Sequence, residues 1–285
     1  MFEKIMYPTK LEEFSLPILK SLTCLKAGGL EEVILLHVID TDVLYTMRRS
    51  GLPVDEGQIK NSVRKELDSY AEFLGTENIK SKARIIVGSV VSEIIKASTE
   101  EEVSLIVAGR QKRDIMGELF VGSTTDRVIR KSNIPVLVAK YHTLKEIEGK
   151  VSEQFCSDMF RKIFYPTDWS PCAERAKQYI PILHKVGTSE IVVVHVIEDR
   201  FVESEEYCEK GLESLKKEFQ AEGFKVSTRL LIGKAYEEIN RVATEEDVSL
   251  IVMGSHGKGF VEGILWGSVS QRVVDYSEKS VLVVK

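Results

Sequence analysis

The chain is written twice. "FEKIMYPT" from Phe2 returns as "FRKIFYPT" from Phe160, "EEVILLHVID" from Glu31 as "SEIVVVHVIED" from Ser189, and "TEEEVSLIVAG" from Thr99 as "TEEDVSLIVMG" from Thr244. The order is the same in both copies, and each closes on an apolar run, "IPVLVAK" or "KSVLVVK". A period of this length is far beyond the ~20–50 residues of a solenoid repeat, so the unit is a whole domain, duplicated. The first copy carries about 13 extra residues after its second strand, in the stretch "TDVLYTMRRSGLPVDEGQIK" from Thr41, which reads as a longer loop or helix. The segment "YHTLKEIEGKVSEQFCSDM" from Tyr141 has no counterpart. The expected organisation is therefore a domain over 1–140, a linker over 141–159 and a second domain over 160–285.

Within each copy, short apolar runs alternate with helix-patterned segments. Runs such as "IVVVHV" are apolar on both faces, as strands buried in a parallel sheet are. In the second copy the expected strands are Lys162–Tyr165, Glu190–Val196, Lys225–Ile232, Ser249–Met253 and Ser280–Val284. Strand and helix in alternation imply right-handed crossovers. The fold expected is thus α/β: two tandem doubly wound, Rossmann-like domains, each a five-stranded parallel sheet flanked by helices. Ligands of such sheets sit beyond the carboxyl ends of the strands, at the switch point.

Composition narrows the classes of partner. With 39 basic and 44 acidic residues the formal charge is −5, which argues against nucleic acid as the main partner. No apolar run approaches the ~20 residues that span a bilayer, and "MFEKIMYPTK" lacks the charged-then-apolar order of a signal peptide. A cytoplasmic protein with no membrane partner is expected. Cys24, Cys156, Cys172 and Cys208 are scattered without metal-ligand spacing, so reduced structural thiols and no metal site are expected.

The densest run of glycine, "MGSHGKGFVEGILWGS" from Met253, follows the fourth strand of the second copy and leads into a helix. Glycines let a backbone approach phosphate oxygens, and the amides at a helix N-terminus point at an anion. Ser268 can cap that helix or donate to a phosphate, and Ser270 sits one turn in. The alternative is an ordinary glycine-rich turn with Ser268 as a simple cap. A Walker-type loop is excluded by spacing, because Gly254 is followed by only two residues before Gly257-Lys258. A dinucleotide fingerprint is excluded by position, since it belongs after the first strand.

Each half resembles a universal stress protein domain, whose ATP-binding members carry Gly-x2-Gly-x9-Gly-[Ser/Thr] after the fourth strand. The second half fits in full: Gly254, two residues, Gly257, nine residues, Gly267-Ser268. It also has the opening "YPTDWS", with Asp168 just past the first strand, and "HVIED" at the end of the second. The resemblance implies that Pro166, Thr167 and Asp168 border an adenosine and that the Val196 backbone meets the adenine edge. It places Met253 and Gly254 under the ribose, and Gly257, Gly267, Ser268 and Val269 on the phosphates. His256 and Lys258 could add charge. The resemblance further implies an internal pseudo-dimer through the terminal strands, and it leaves room for a homodimer of the whole chain and for an unidentified protein partner.

The residues also have plainer readings. Asp168 could cap the first helix, while His195, matched by His37, reads as a satisfied core histidine. Trp169 and Trp266 read as packing, and Tyr7 and Tyr165 as strand-end packing.

The first half departs from the motif twice. Lys10 stands where Asp168 does and Lys112 where Gly257 does, although Gly109 and Gly122-Ser123 remain. A side chain at the middle glycine obstructs the approach of phosphate and disfavours any positive φ needed there. The expectation is ATP, with or without Mg2+, bound mainly by the second half of a nucleotide-responsive regulatory module. The competing idea for the first half is an anion site made by Lys10, Arg110, Lys112 and Arg113. No catalytic residue or metal ligand is assigned, and an enzyme is not the expectation. The alternatives are a slow ATPase or related adenine-nucleotide hydrolase, and an interaction protein without nucleotide.

Overall fold

A computed structural model describes residues 1–12, 15–110, 122–140, 159–198, 204–258 and 266–285. Residues 141–158 of the expected linker, with Cys156, residues 111–121 with Lys112 and Arg113, and the side chain of Arg110 lie outside the described part.

The first half contains β1 (Lys4–Pro8), α1 (Ser15–Leu22), β2 (Glu32–Asp40), α2 (Thr41–Arg49), α3 (Glu56–Thr76), β3 (Lys80–Gly88), α4 (Val90–Glu100), β4 (Leu105–Arg110), α5 (Ser123–Lys131) and β5 (Val136–Lys140). The second contains β6 (Lys162–Pro166), α6 (Pro171–Lys177), α7 (Ile180–Val186), β7 (Glu190–Ile197), α8 (Glu205–Ala221), β8 (Lys225–Ile232), α9 (Ala235–Glu245), β9 (Leu250–Gly254), α10 (Ser268–Tyr276) and β10 (Ser280–Val284). The insertion in the first half is α2, whose N-cap Asp40 accepts from the N–H of Asp42.

Within each half the five strands are parallel, as their two-faced apolar patterns imply. The expectation of two separate parallel sheets needs correction. β5 and β10 pair antiparallel, Val138 opposite Val281 and Val136 opposite Val283, and fuse the halves into one ten-stranded mixed sheet in the order β3-β2-β1-β4-β5-β10-β9-β6-β7-β8. The physical reason is edge satisfaction: each half alone would expose the unpaired amides of a fully buried apolar strand, and the two edges satisfy one another. The internal pairing through the terminal strands is thereby present.

Two apolar layers cover the sheet, and each runs through both halves. One face packs Tyr7, Leu19, Leu67, Tyr165, Ile180 and Phe219 under α1, α3, α6, α7 and α8. The other packs Ile94, Val128, Ile239 and Val273 under α4, α5, α9 and α10. Burying a side chain of this size contributes ~1.5–3 kcal/mol each. The amphipathic stretch from Pro171 to Val186 forms two helices, broken at Gln178-Tyr179. Pro181 has no N–H to give the carbonyl of Lys177, so the first helix ends there.

Cys24 forms a disulfide in the structure, against the expectation of reduced thiols, whereas Cys172 and Cys208 are free. Sequence spacing carries no record of which cysteines folding brings together. Among the described residues no helix is long and apolar enough to cross a membrane.

Candidate functional site

The carboxyl ends of β6, β7 and β9 converge where the chain turns off to opposite faces of the sheet. The turn after β6 is held by Thr167. Its N–H donates to the Val194 carbonyl at 2.8 Å, its Oγ1 accepts from the N–H of Trp169 at 3.0 Å, and its carbonyl meets Nδ1 of His195 at 2.7 Å. This grip forces Trp169 into the left-handed region, at φ +56°. The first half repeats the device: Thr9 takes the N–H of Leu11 at 3.0 Å, its carbonyl meets Nδ1 of His37 at 2.9 Å, and Leu11 has φ +59°. His195, buried, and His37, half-buried, are therefore loop anchors.

That symmetry isolates the role of Asp168. The same turn forms in the first half around Lys10, so the carboxylate is not what makes it. Nor is Asp168 the helix cap. Ser170 caps α6, accepting from the N–H of Ala173 at 3.3 Å, with Pro171 in the first turn. The Asp168 carboxylate instead points across to the loop after β9. Oδ1 accepts from the N–H of Ser170 at 3.0 Å and Oδ2 from the N–H of Lys258 at 2.7 Å.

Gly257 is glycine for space, not for dihedral freedom. Its φ is not in the left-handed region, so the position needs no positive φ. A Cβ there would lie 2.5 Å from Oδ2 of Asp168. Asp168 and Gly257 thus form a matched pair, far apart in sequence, and the first half has lysine at both positions.

The other glycines have different reasons. A Cβ on Gly254 would stand 2.6 Å from the carbonyl carbon of Cys172 and 2.7 Å from the nitrogen of Ala173, so β9 and α6 meet backbone to backbone. Neither of those atoms can swing aside. Gly254→Ala is expected to destabilise the full chain by ~2–3 kcal/mol, read as a lowered urea midpoint at unchanged m-value. A midpoint unchanged from wild type would contradict the close approach. Gly267 is the N-cap of α10, and no side chain caps the helix there; the reading of Ser268 as the cap is corrected, since Ser268 is the first helical residue. The N–H of Gly267 is already given to the Ser255 carbonyl at 2.9 Å, which leaves the amides of Ser268 and Val269 as the first orphan donors. Ser270 Oγ donates to the Gly254 carbonyl at 3.0 Å and ties the start of α10 to the end of β9.

Val196 lies two residues beyond the point where β6 stops pairing with β7. Val194 turns its carbonyl towards β6, so Val196, with the same parity, presents its N–H and C=O on that side, past the end of β6. Met253 is buried near the carboxyl end of β9. Lys258 places its Nζ 5.3 Å from the ring centre of Trp169, which in turn packs, tilted by 40°, on His195 with ring centres 4.4 Å apart. Nδ1 of His256 lies 2.8 Å from the Ser255 hydroxyl.

Two residues of the site, Ser170 and Ser255, were not among the expected ones. Ser170, whose hydroxyl also reaches the His256 carbonyl at 3.2 Å, is announced by Ser-Pro at a helix start. Ser255 has no such sequence signal. Beside the loop lies an open cleft of about 290 Å³ bounded by Ser170, Cys172, Arg175, Ser255, His256 and Lys285. Partial burial pulls the Lys285 ammonium down to about 8.

A pair of fused, doubly wound α/β domains, each with a glycine-capped helix N-terminus beyond its fourth strand, defines the class of fold. A family model described as the universal stress protein family matches residues 1–140 and again 159–285. The chain belongs to the universal stress protein family. A universal stress protein of Methanocaldococcus jannaschii is 34% identical over 157 residues, covering 45% of this chain and 97% of that protein. A universal stress protein of Mycolicibacterium smegmatis is 24% identical over 244 residues, 82% of this chain and 79% of that one. The crystal structure of a universal stress protein from Archaeoglobus fulgidus DSM 4304 superposes with a TM-score of 0.76 at 26% identity, covering 99% of this chain and 96% of that chain.

Proposed function

We propose that the second half binds an adenine nucleotide, ATP by preference, and that occupancy changes the loop after β9. The observation that carries the reading is the uncapped N-terminus of α10, with the Ser268 and Val269 amides open and a glycine-lined approach at Gly257 and Gly267. A helix N-terminus favours anions by ~0.3–1 kcal/mol per charge when exposed. The Ser268 hydroxyl adds a neutral donor, and His256 and Lys258 lie in the same loop to add positive charge.

The rest of the nucleotide fits the remaining groups. The Val196 edge offers one donor and one acceptor to the adenine, with Pro166 and Thr167 walling that side. Met253 and Gly254 form the floor beneath the ribose. Asp168 offers a carboxylate to a ribose hydroxyl or the adenine amine. That carboxylate already holds the Lys258 N–H, so a ligand hydroxyl competes with the loop for the same oxygen. Binding would thus be read out as a loop rearrangement, the behaviour of a nucleotide-responsive module. An accompanying Mg2+ would be held by phosphate oxygens and water, since among the described residues no group of three or more His, Cys, Asp or Glu is placed for a metal.

The first half, with Lys10 and Lys112 replacing the matched pair, binds ATP weakly or not at all. ATP at a hundred times its Kd should stabilise the full chain by about 2.7 kcal/mol and raise its Tm. An unchanged Tm across millimolar ATP would remove the nucleotide from the account. Multiple-turnover phosphate release that disappears in Gly257→Lys would convert the binding module into an enzyme.

A further inference from the structure

The phosphate-facing helix of the second half is gripped by the first half. Lys140, the last residue of β5, is buried with 2% of its surface exposed, an unusual place for an ammonium. Its Nζ donates to the carbonyls of Val274, at 3.0 Å, and of Ser277, both at the carboxyl end of α10. Its backbone N–H donates to Oγ of Ser280 at 3.1 Å. A cation bonded to orphan carbonyls at a helix C-terminus satisfies them and complements the helix dipole. At the other end, the Arg130 guanidinium of α5 lies 5.4 Å from the ring centre of Trp266, held there by Asp126 at 2.8 Å. Trp266 is buried and immediately precedes the N-cap Gly267.

Two of the gripping residues have no like counterpart in the other half. At the place in the second half that corresponds to Arg130 stands Asp275, which cannot offer a cation to a ring. At the place in the first half that corresponds to Ser280 stands Pro135, which has no hydroxyl.

We propose that the half with the degenerate motif serves as a positioning brace, with Lys140 and Arg130 fixing both ends of α10 so that its N-terminal amides meet the nucleotide phosphates. This rests on the nucleotide reading above. α10 has nine residues, and a short helix takes its placement from tertiary contacts more than from its own propensity. An amide displaced by a fraction of an ångström loses much of a charge-assisted hydrogen bond, so the brace acts on the phosphates and not on the adenosine. Lys140 and Arg130 are positioning residues.

The test is calorimetry on the full chain as wild type, Lys140→Met and Arg130→Ala, titrated with ATP and, separately, with adenosine. Lys140→Met is expected to weaken ATP about five- to tenfold and Arg130→Ala about threefold, with adenosine affinity held within about twofold in both. If Lys140→Met does not fold, the partly exposed Arg130→Ala carries the test with the same split between ligands. Equal losses for ATP and adenosine would mean general loosening and overturn the brace, as would unchanged ATP affinity. A wild-type chain that binds neither ligand would overturn the nucleotide reading itself, and the brace with it.

Discussion

Replacing Gly257 by lysine, the residue the first half carries at the matching position, is expected to lower ATP affinity by at least about a hundredfold, ~2.7 kcal/mol, while the chain stays folded. The asymmetry between binding and stability follows from what the new side chain meets. Its Cβ would stand 2.5 Å from Oδ2 of Asp168, the far end of a side chain that can rotate. The carboxylate swings off and the fold survives, but Oδ2 loses the Lys258 N–H that it holds at 2.7 Å. A hydrogen bond to a charged group is worth ~1.5–3 kcal/mol, so losing an adenosine acceptor and blocking the approach of phosphate together exceed a hundredfold. Gly257→Ala keeps the clash but not the length, and should weaken ATP about tenfold. Titration calorimetry reads the affinities and thermal melts read the stability. Near-wild-type ATP binding by Gly257→Lys would show that the pair has no part in the site.

Asp168→Ala is the second large effect, and its pattern differs. ATP and adenosine should both weaken by about 10- to 30-fold, because the carboxylate serves the nucleoside and not the phosphates. Stability should change by less than ~1 kcal/mol, since the turn around it is held by Thr167 and His195 and forms in the first half without any acid. Once Asp168 is gone, Gly257→Ala has nothing to displace. The double variant should therefore bind ATP better than the sum of the two single losses predicts, by ~1 kcal/mol of coupling. Strict additivity would deny the contact between them.

Much of this fold is legible in the sequence, and what is not legible has a physical cause. Buried parallel strands such as β7 and β10 announce themselves as apolar runs, and the duplication sets their order. The fusion of two sheets is different: β5 and β10 look like any central strand, and only pairing in space decides whether they stay edges. The split between α6 and α7 depended on the carbonyl of Lys177 that Pro181 cannot serve, a cost that an amphipathic pattern conceals. In the site, the glycine spacing marks the loop but not each glycine's reason. Gly254 answers to the backbone of α6, Gly267 caps α10 with its own N–H engaged, and Gly257 answers to Asp168. All three reasons are contacts across the fold, which a linear motif does not encode.

The grip of Lys140 on α10 also gives the duplication a physical sense. A first half that has lost its matched pair can still fix the geometry of the other half, through β5 and the two ends of one helix.

The most direct measurement of the central claim, a single working site in the second half, is the stoichiometry of ATP binding to the intact chain. Calorimetric titration should give one ATP per chain, and none in the same concentration range for Gly257→Lys. Two sites of equal affinity, or one site that survives Gly257→Lys, would contradict the account.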